Sequence, residues 1–241
     1  MVYAILRIPS YMAFALSKTD MRWRCLRIAA CAVALASLGC SSANTGPTTQ
    51  NPVVASDDFE RAQLGPNWIQ VLGGSNAGVV GGKDFGALSA GFMSVDWIAQ
   101  QFGADQFSEI VIAASRNPNL MVQVHVRRQS GTLARYGFHF NRETNPEVWE
   151  IKYDGVPTPE TRILVSRAAP GPAGGDVMRI EARGREISGY KNGQLLLSAV
   201  DNAANAILLG GGTGMTSRMA AGTTTTYPAP IAASWKGGTL P

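Results

Sequence analysis

Cysteine is scarce in this 241-residue chain and confined to its first forty positions: Cys25, Cys31 and Cys40 are the only ones. Whatever follows Cys40 holds no disulfide framework and no cysteine-ligated metal, so its stability has to come from a packed core. Histidine is scarcer still, with His125 and His139 alone. No apolar run reaches the roughly 20 residues that a membrane-spanning helix needs. Sustained 3.6-residue periodicity is missing as well, which argues against a helical domain. The net charge of +4 is a local property. Residues 1–39 hold five basic groups (Arg7, Lys18, Arg22, Arg24, Arg27) and one acid (Asp20), and removing them from the 21 and 17 leaves 16 of each sign. A balanced remainder gives no ground for nucleic-acid binding, and none is expected.

What is there begins with a processing segment. From Met21, "MRWRCLR" is a positive stretch, "IAACAVALASL" an apolar one, and "SLGC" a small-residue end. These are the three parts of a secretion signal. The ending at Cys40 resembles the lipobox of bacterial lipoproteins. The resemblance implies cleavage before Cys40, lipidation of its thiol and a membrane anchor in the cell envelope. Ser41 in the next position implies the outer membrane. Residues 1–20 carry Arg7 and Pro9 inside their apolar pattern, and the expected true start is Met21. Residues 40–54 are Ser-, Thr-, Asn- and Pro-rich and read as a tether. The folded domain is expected over 55–241.

That domain reads as all-β. In "LMVQVHVRR" (120–128), Leu120, Val122, Val124 and Val126 share one face, and Met121, Gln123, His125 and Arg127 the other. After the turn "QSGT", "LARYGFHFN" sets Ala134, Tyr136, Phe138 and Phe140 against Arg135, Gly137 and His139. Together they read as a hairpin with one apolar face. Further strands are read in 147–153, 162–166, 176–184, 186–191, 194–200, 206–215 and 230–236, with "NG" at 192–193 a two-residue hairpin turn. Earlier runs such as "DDFERA", "NWIQVL", "AGVVGG", "GFMSVDW" and "FSEIVIAAS" add others. Residues 215–231 read as a surface loop. Short strands punctuated this regularly imply an antiparallel two-sheet sandwich.

The opening "DDFERAQLGPNW" resembles that of bacterial proteins of the concanavalin A-like lectin/glucanase group, which includes laminin-G-like jelly rolls. "VQVHVRR", "ARYGFHFNR", "EVWEIKYDG", "DVMRIEARGREISGYKNGQLLLSAVDN" and "IAASWKG" are similar to later pieces of that pattern, in the same order. The resemblance implies a jelly-roll sandwich with a carbohydrate-binding concave sheet. It also brings calcium into view near the chain ends. Asp57 and Asp58 are present, but "ASWKG" offers no acidic partner, so no cofactor or metal is expected.

The alternation gathers Gln123, His125, Arg127, Arg135, His139 and Glu150 on one polar face, with Lys152 beside them. Such a face suits hydrogen bonding to sugar hydroxyls or carboxylates; the plainer alternative is a solvated sheet surface. Trp68, Trp97, Trp149, Trp235 and Tyr190 are candidates for stacking on sugar rings, against the commoner role of core packing. "QVH" at 123–125 is similar to the Gln-Val/Ile-His strand of jelly-roll alginate lyases, which implies β-elimination, but the upstream Arg-x-Glu-x-Arg of those enzymes has no counterpart. The paired carboxylates of a retaining glucanase, Glu-x-Asp-x-x-Glu, do not occur either. "LGGGTG" (209–214) precedes no Lys and no helix and reads as a bulge or tight turn. The expectation is a non-catalytic envelope lipoprotein that binds a glycan. The alternatives are a structural or protein-interaction module and a polysaccharide lyase.

Overall fold

The computed structural model describes residues 53–72, 76–155, 161–220 and 222–241. Cys40, the signal segment and the tether before Val53 lie outside the described residues.

Fifteen strands make up the described chain: β1 Val54–Asp57, β2 Trp68–Leu72, β3 Ala77–Val80, β4 Asp84–Ala87, β5 Met93–Trp97, β6 Gln106–Ile112, β7 Leu120–Arg128, β8 Arg135–Asn141, β9 Val148–Asp154, β10 Thr161–Ala168, β11 Val177–Arg183, β12 Glu186–Lys191, β13 Gln194–Val200, β14 Gly212–Met219 and β15 Ala229–Thr239. They form two antiparallel sheets. The eight-stranded sheet runs β13-β12-β11-β6-β15-β4-β3, with β1 also paired to β15; the seven-stranded sheet runs β10-β9-β8-β7-β14-β5-β2. Sequence neighbours β7, β8, β9 and β10 are spatial neighbours, as short turns dictate, whereas β14 returns from far along the chain to lie between β7 and β5. The Asn192-Gly193 turn has positive φ at both positions, 54° and 76°, the backbone that its residue pair favours.

The period-two pattern has a plain physical outcome. Val122, Val124 and Val126 of β7, Tyr136, Phe138 and Phe140 of β8, and Trp149, Ile151 and Tyr153 of β9 all point between the sheets and are buried. They meet Ile110 and Ile112 of β6, Met178, Ile180 and Ala182 of β11 and Ile187 of β12 in one core. At the other end, Trp68 lies edge-on to Trp97 and Trp235, at 5.4 and 4.8 Å between ring centroids, while Trp97 and Trp235 stack at 5.2 Å. Trp149 stacks on Phe138 at 5.0 Å. All four of these tryptophans are core residues, so the packing role, not the sugar platform, is the one they fill.

Two readings of the sequence are corrected. Residues 206–211 are not strand, and 215–219 belong to the inner strand β14, not to a loop. The apolar run Ile207-Leu208-Leu209 invited the first error, yet Leu209 is 72% exposed. Polar residues inside β14 invited the second: Ser217 is buried, where its hydroxyl donates to the Met121 carbonyl. β4 was also missed, being four residues with a central glycine, Gly86.

Candidate functional site

Two cross-strand rows run over the outer face of the seven-stranded sheet. Registered pairs across β5, β14, β7, β8 and β9 align Ser94, Thr216, Gln123, His139 and Glu150 in one row. The next holds Asp96, Gly214, His125, Gly137 and Lys152. This is the polar face expected from the alternation, but it is not a solvated one. Gln123, His125, Arg135, His139 and Glu150 are all buried.

The burial follows from small residues in the second row. Gly137 lies under the Gln123 side chain; a Cβ there would fall 1.6 Å from Gln123 Nε2. Gln123 can therefore lie across β8 and point its amide at Asp154, 3.5 Å away. Arg135 covers the same floor, donating from Nη1 to Ser94 Oγ at 3.0 Å and pairing through Nε with Asp154 at 3.5 Å.

Beneath them runs a continuous polar chain. His125 Nε2 lies 2.7 Å from Asp96 Oδ1, and Arg128 Nε pairs with Asp96 Oδ2. Burial, and after it the Arg135 charge, push the His125 pKa well below the ordinary imidazole value. The ring is therefore neutral, with its proton on Nε2 facing the carboxylate. Nδ1 lies 3.2 Å from the Thr216 hydroxyl. Thr216 Oγ1 donates to Ser94 Oγ at 2.9 Å, and Ser94 also accepts from Arg135. Two arginines are thus locked together through one neutral histidine.

His139 and Glu150 form a second pair, Nε2 to Oε2 at 3.1 Å. Burial holds the His139 pKa below its usual value despite the carboxylate. Burial works to raise that of Glu150, but hydrogen bonds from His139 and Asn141 and the Lys152 charge bring it below the ordinary carboxylate value. The neutral imidazole donates from Nε2, leaving Nδ1 as a buried acceptor with no partner. Asp154 is held low in the same way, the Lys152 and Arg135 charges outweighing its burial.

A cleft of about 1020 Å³ lies over this floor, bordered by Gln70, Arg128, Arg135, His139, Glu150, Lys152, Asp154 and Arg218. Apolar walls come from Ile69, Leu72, Phe92, Leu133 and Ile163. Gln70 Oε1, like His139 Nδ1, is buried without a partner.

Of the six residues picked from the sequence, Gln123, His125, Arg135, His139 and Glu150 come together here. Arg127 does not. Its φ of 55° and the register step between Gly212 and Gly214 mark a β-bulge, in which Val126 and Arg127 oppose Thr213 alone. The bulge sends Arg127 to the end of the sandwich. There Nε donates to the Ala104 carbonyl at 2.7 Å, and Nη1 to those of Gly184 and Ile207 at 2.7 and 2.8 Å. Gln106 Oε1 fixes the bulge by accepting the Arg127 N–H at 2.8 Å. Arg128 takes the vacated place on the face. Sequence reasoning also missed Asp96, Ser94, Thr216, Asp154, Arg218 and Gln70; Asp154 alone had a signal, as the next outward position after Lys152. Tyr136 points inward, its hydroxyl donating to Asp201 Oδ2 at 2.7 Å.

Asp57 is fully engaged: Arg61 donates to it twice at 2.6 Å, and Trp68 Nε1 at 2.6 Å. Its oxygens are structural acceptors. Among the described residues no group of three or more His, Cys, Asp or Glu clusters as metal ligands would.

No protein-family model matches the chain, and no curated protein matches it by sequence. Solved structures match its fold. A Bacillus licheniformis β-glucanase aligns at TM-score 0.52 and 14% identity, over 80% of this chain and 100% of its own. An apo Crh5 transglycosylase aligns at 0.52 and 13%, over 78% and 85%. LamA from Z. galactanivorans, in complex with laminaritriose and laminaritetraose, aligns at 0.51 and 9%, over 78% and 98%. What this chain shares with them is the architecture, an all-β, two-sheet, concanavalin A-like jelly-roll sandwich.

Proposed function

We propose that this chain is an envelope-anchored protein that binds a polysaccharide, without cleaving it, in the cleft over the seven-stranded sheet. The observation that carries the reading is the floor of that cleft. Its polar side chains are locked to one another and buried, and two acceptors, His139 Nδ1 and Gln70 Oε1, are left for a ligand's hydroxyl groups. Fixed polar groups between apolar walls suit a sugar ring, which offers hydroxyls at its edge and C–H groups on its faces. The laminarin oligosaccharides bound by LamA, a protein of the same architecture, favour it too.

The absence of cleavage is argued from the carboxylates. Glu150 and Asp154, the carboxylates bordering the cleft, are each already engaged, Glu150 by His139 and Asp154 by Arg135 and Lys152. Both have depressed pKa values, whereas a general acid needs a raised one. A lyase needs an acid as well as a base; Tyr136 and Tyr153 point into the core, and no tyrosine is among the described residues bordering the cleft. Anchoring rests on the segment ending in Cys40.

Retention of the full chain on immobilised neutral and acidic polysaccharides tests binding; loss of retention in Gln70→Ala is expected. Absorbance of unsaturated uronate, or new reducing ends, during incubation with a retained polymer would overturn the non-catalytic reading. Fatty-acid labelling in cells, abolished by Cys40→Ser, tests the anchor.

A further inference from the structure

The charged groups around the cleft differ in depth. The carboxylates of the floor are little exposed: side-chain exposure is 1% for Asp96, 6% for Glu150 and 15% for Asp154. Arg135 and Arg128 lie at the same depth, at 3% and 14%, while Lys152 and Arg218 stand higher, at 21% and 42%. Each of these carboxylates is already engaged. Asp96 meets Arg128 and His125, Glu150 meets His139, and Asp154 meets Arg135 and Lys152. A ligand entering the cleft therefore meets Lys152 and Arg218 before the oxygens of Asp96, Glu150 and Asp154.

One position concentrates this. Lys152 and Arg218 also border a narrow recess of about 20 Å³ beside His139, together with Gln123, Thr216 and Phe92. That volume admits one water-sized group. The Lys152 ammonium, with three donors, pairs with Asp154 Oδ1 at 3.4 Å. Arg218, with five, pairs with Glu143 through Nη2 at 2.5 Å. His139 lines the same recess, and its unpartnered Nδ1 acceptor takes a hydroxyl proton and no anion.

We infer that the cleft selects an anionic polysaccharide, with a carboxylate or sulfate held between Lys152 and Arg218 and a neighbouring hydroxyl donating to His139 Nδ1. This rests on the glycan-binding reading and narrows it. Contacts of this kind favour anionic over neutral sugars, because an anionic group offers Lys152 and Arg218 a charged acceptor in addition to Asp154 and Glu143, which a neutral ring does not.

The test is calorimetric titration of the full chain with three soluble polymers of matched length: a neutral glucan, a polyuronate and a sulfated galactan. Binding to one or both anionic polymers is expected, at least about tenfold tighter than to the glucan and weakening steeply as salt rises. Which anionic polymer binds identifies the carboxylate or the sulfate as the recognised group. Lys152→Gln and Arg218→Gln should each lower that affinity about tenfold, while Lys236→Gln, on the opposite sheet, leaves it unchanged. Circular dichroism verifies that the variants fold, and the salt titration of the wild type stands without them. Equal or tighter binding to the neutral glucan, or anionic binding insensitive to salt, overturns this inference and leaves glycan binding intact. No binding to any of the three overturns both.

Discussion

Arg127 and Arg128 are adjacent, identical in chemistry and opposite in role, which makes them a sharp test of the bulge in β7. Arg127 is fully buried and donates to three backbone carbonyls at 2.7–2.8 Å. Its contact with Asp105, 3.4 Å to a carboxylate 47% exposed, is screened and adds little. In Arg127→Met the aliphatic stem is kept and the three carbonyls lose their donor. Each orphaned carbonyl costs about 1–3 kcal/mol, partly offset because the guanidinium no longer has to be desolvated. A net loss of about 3–5 kcal/mol is expected, or a fall in melting temperature of about 6–20 °C for a chain of this size. Molecules that remain folded should bind polysaccharide with unchanged affinity, since Arg127 points away from the cleft. Arg128→Met should do the reverse, weakening binding with the smaller stability loss, because Asp96 keeps His125. Urea unfolding and calorimetric titration on both variants separate the two. If Arg127→Met unfolds within about 1 kcal/mol of wild type but loses binding, the alternation without a bulge is right and the structural argument is wrong.

Further outcomes follow from the same site and core. His125 and His139 have depressed pKa values in the folded chain, so the unfolded chain takes up protons first as pH falls through about 6.5; stability is full above that pH and is lost below it, at up to about 1.4 kcal/mol per pH unit for each histidine. Unfolding measured between pH 5 and 8 (a range of about three units) should show this limb, and His139→Gln should halve its slope. Gly137→Ala would press a methyl group into the Gln123 amide; that amide is the far end of a flexible side chain, so stability should change by about 1 kcal/mol or less while polysaccharide affinity falls, by titration. Trp235→Ala removes a ring packed on Trp68 and Trp97 whose Nε1 donates to Ser108 at 3.0 Å; a loss of about 3–5 kcal/mol in urea unfolding, without a change in affinity, marks it as core.

The architecture was legible wherever one face of a strand is apolar without interruption. In β7, β8 and β9 the inward positions carry Val, Tyr, Phe, Trp and Ile throughout, and the sequence alone assigns every side chain of β8 and β9 to its face. β14 was misread because its inward positions include Thr213 and Ser217 while a nearby apolar run, Ile207-Leu208-Leu209, lies largely outside the core. Local hydrophobicity misplaced a strand that long-range pairing with β5 and β7 determines.

The site shows the same division more sharply. Which residues share a face is a local property of each strand, and so Gln123, His125, Arg135, His139 and Glu150 could be gathered from alternation alone. How deep each one lies is not local. His125 is sealed because Gly137, twelve residues on, leaves room for Gln123 to fold over β8, and because Asp96 and Thr216 arrive from β5 and β14 to take both of its nitrogens. The Arg127 bulge depends likewise on Gln106 of β6 accepting its N–H and on Gly212 and Gly214 across the ladder. A side chain's orientation is set by its neighbours in sequence, whereas its burial, protonation and partners are set by neighbours in space. The polar face is for that reason an interlocked floor with neutral histidines and not an open surface, and the cations standing highest over it are Lys152 and Arg218.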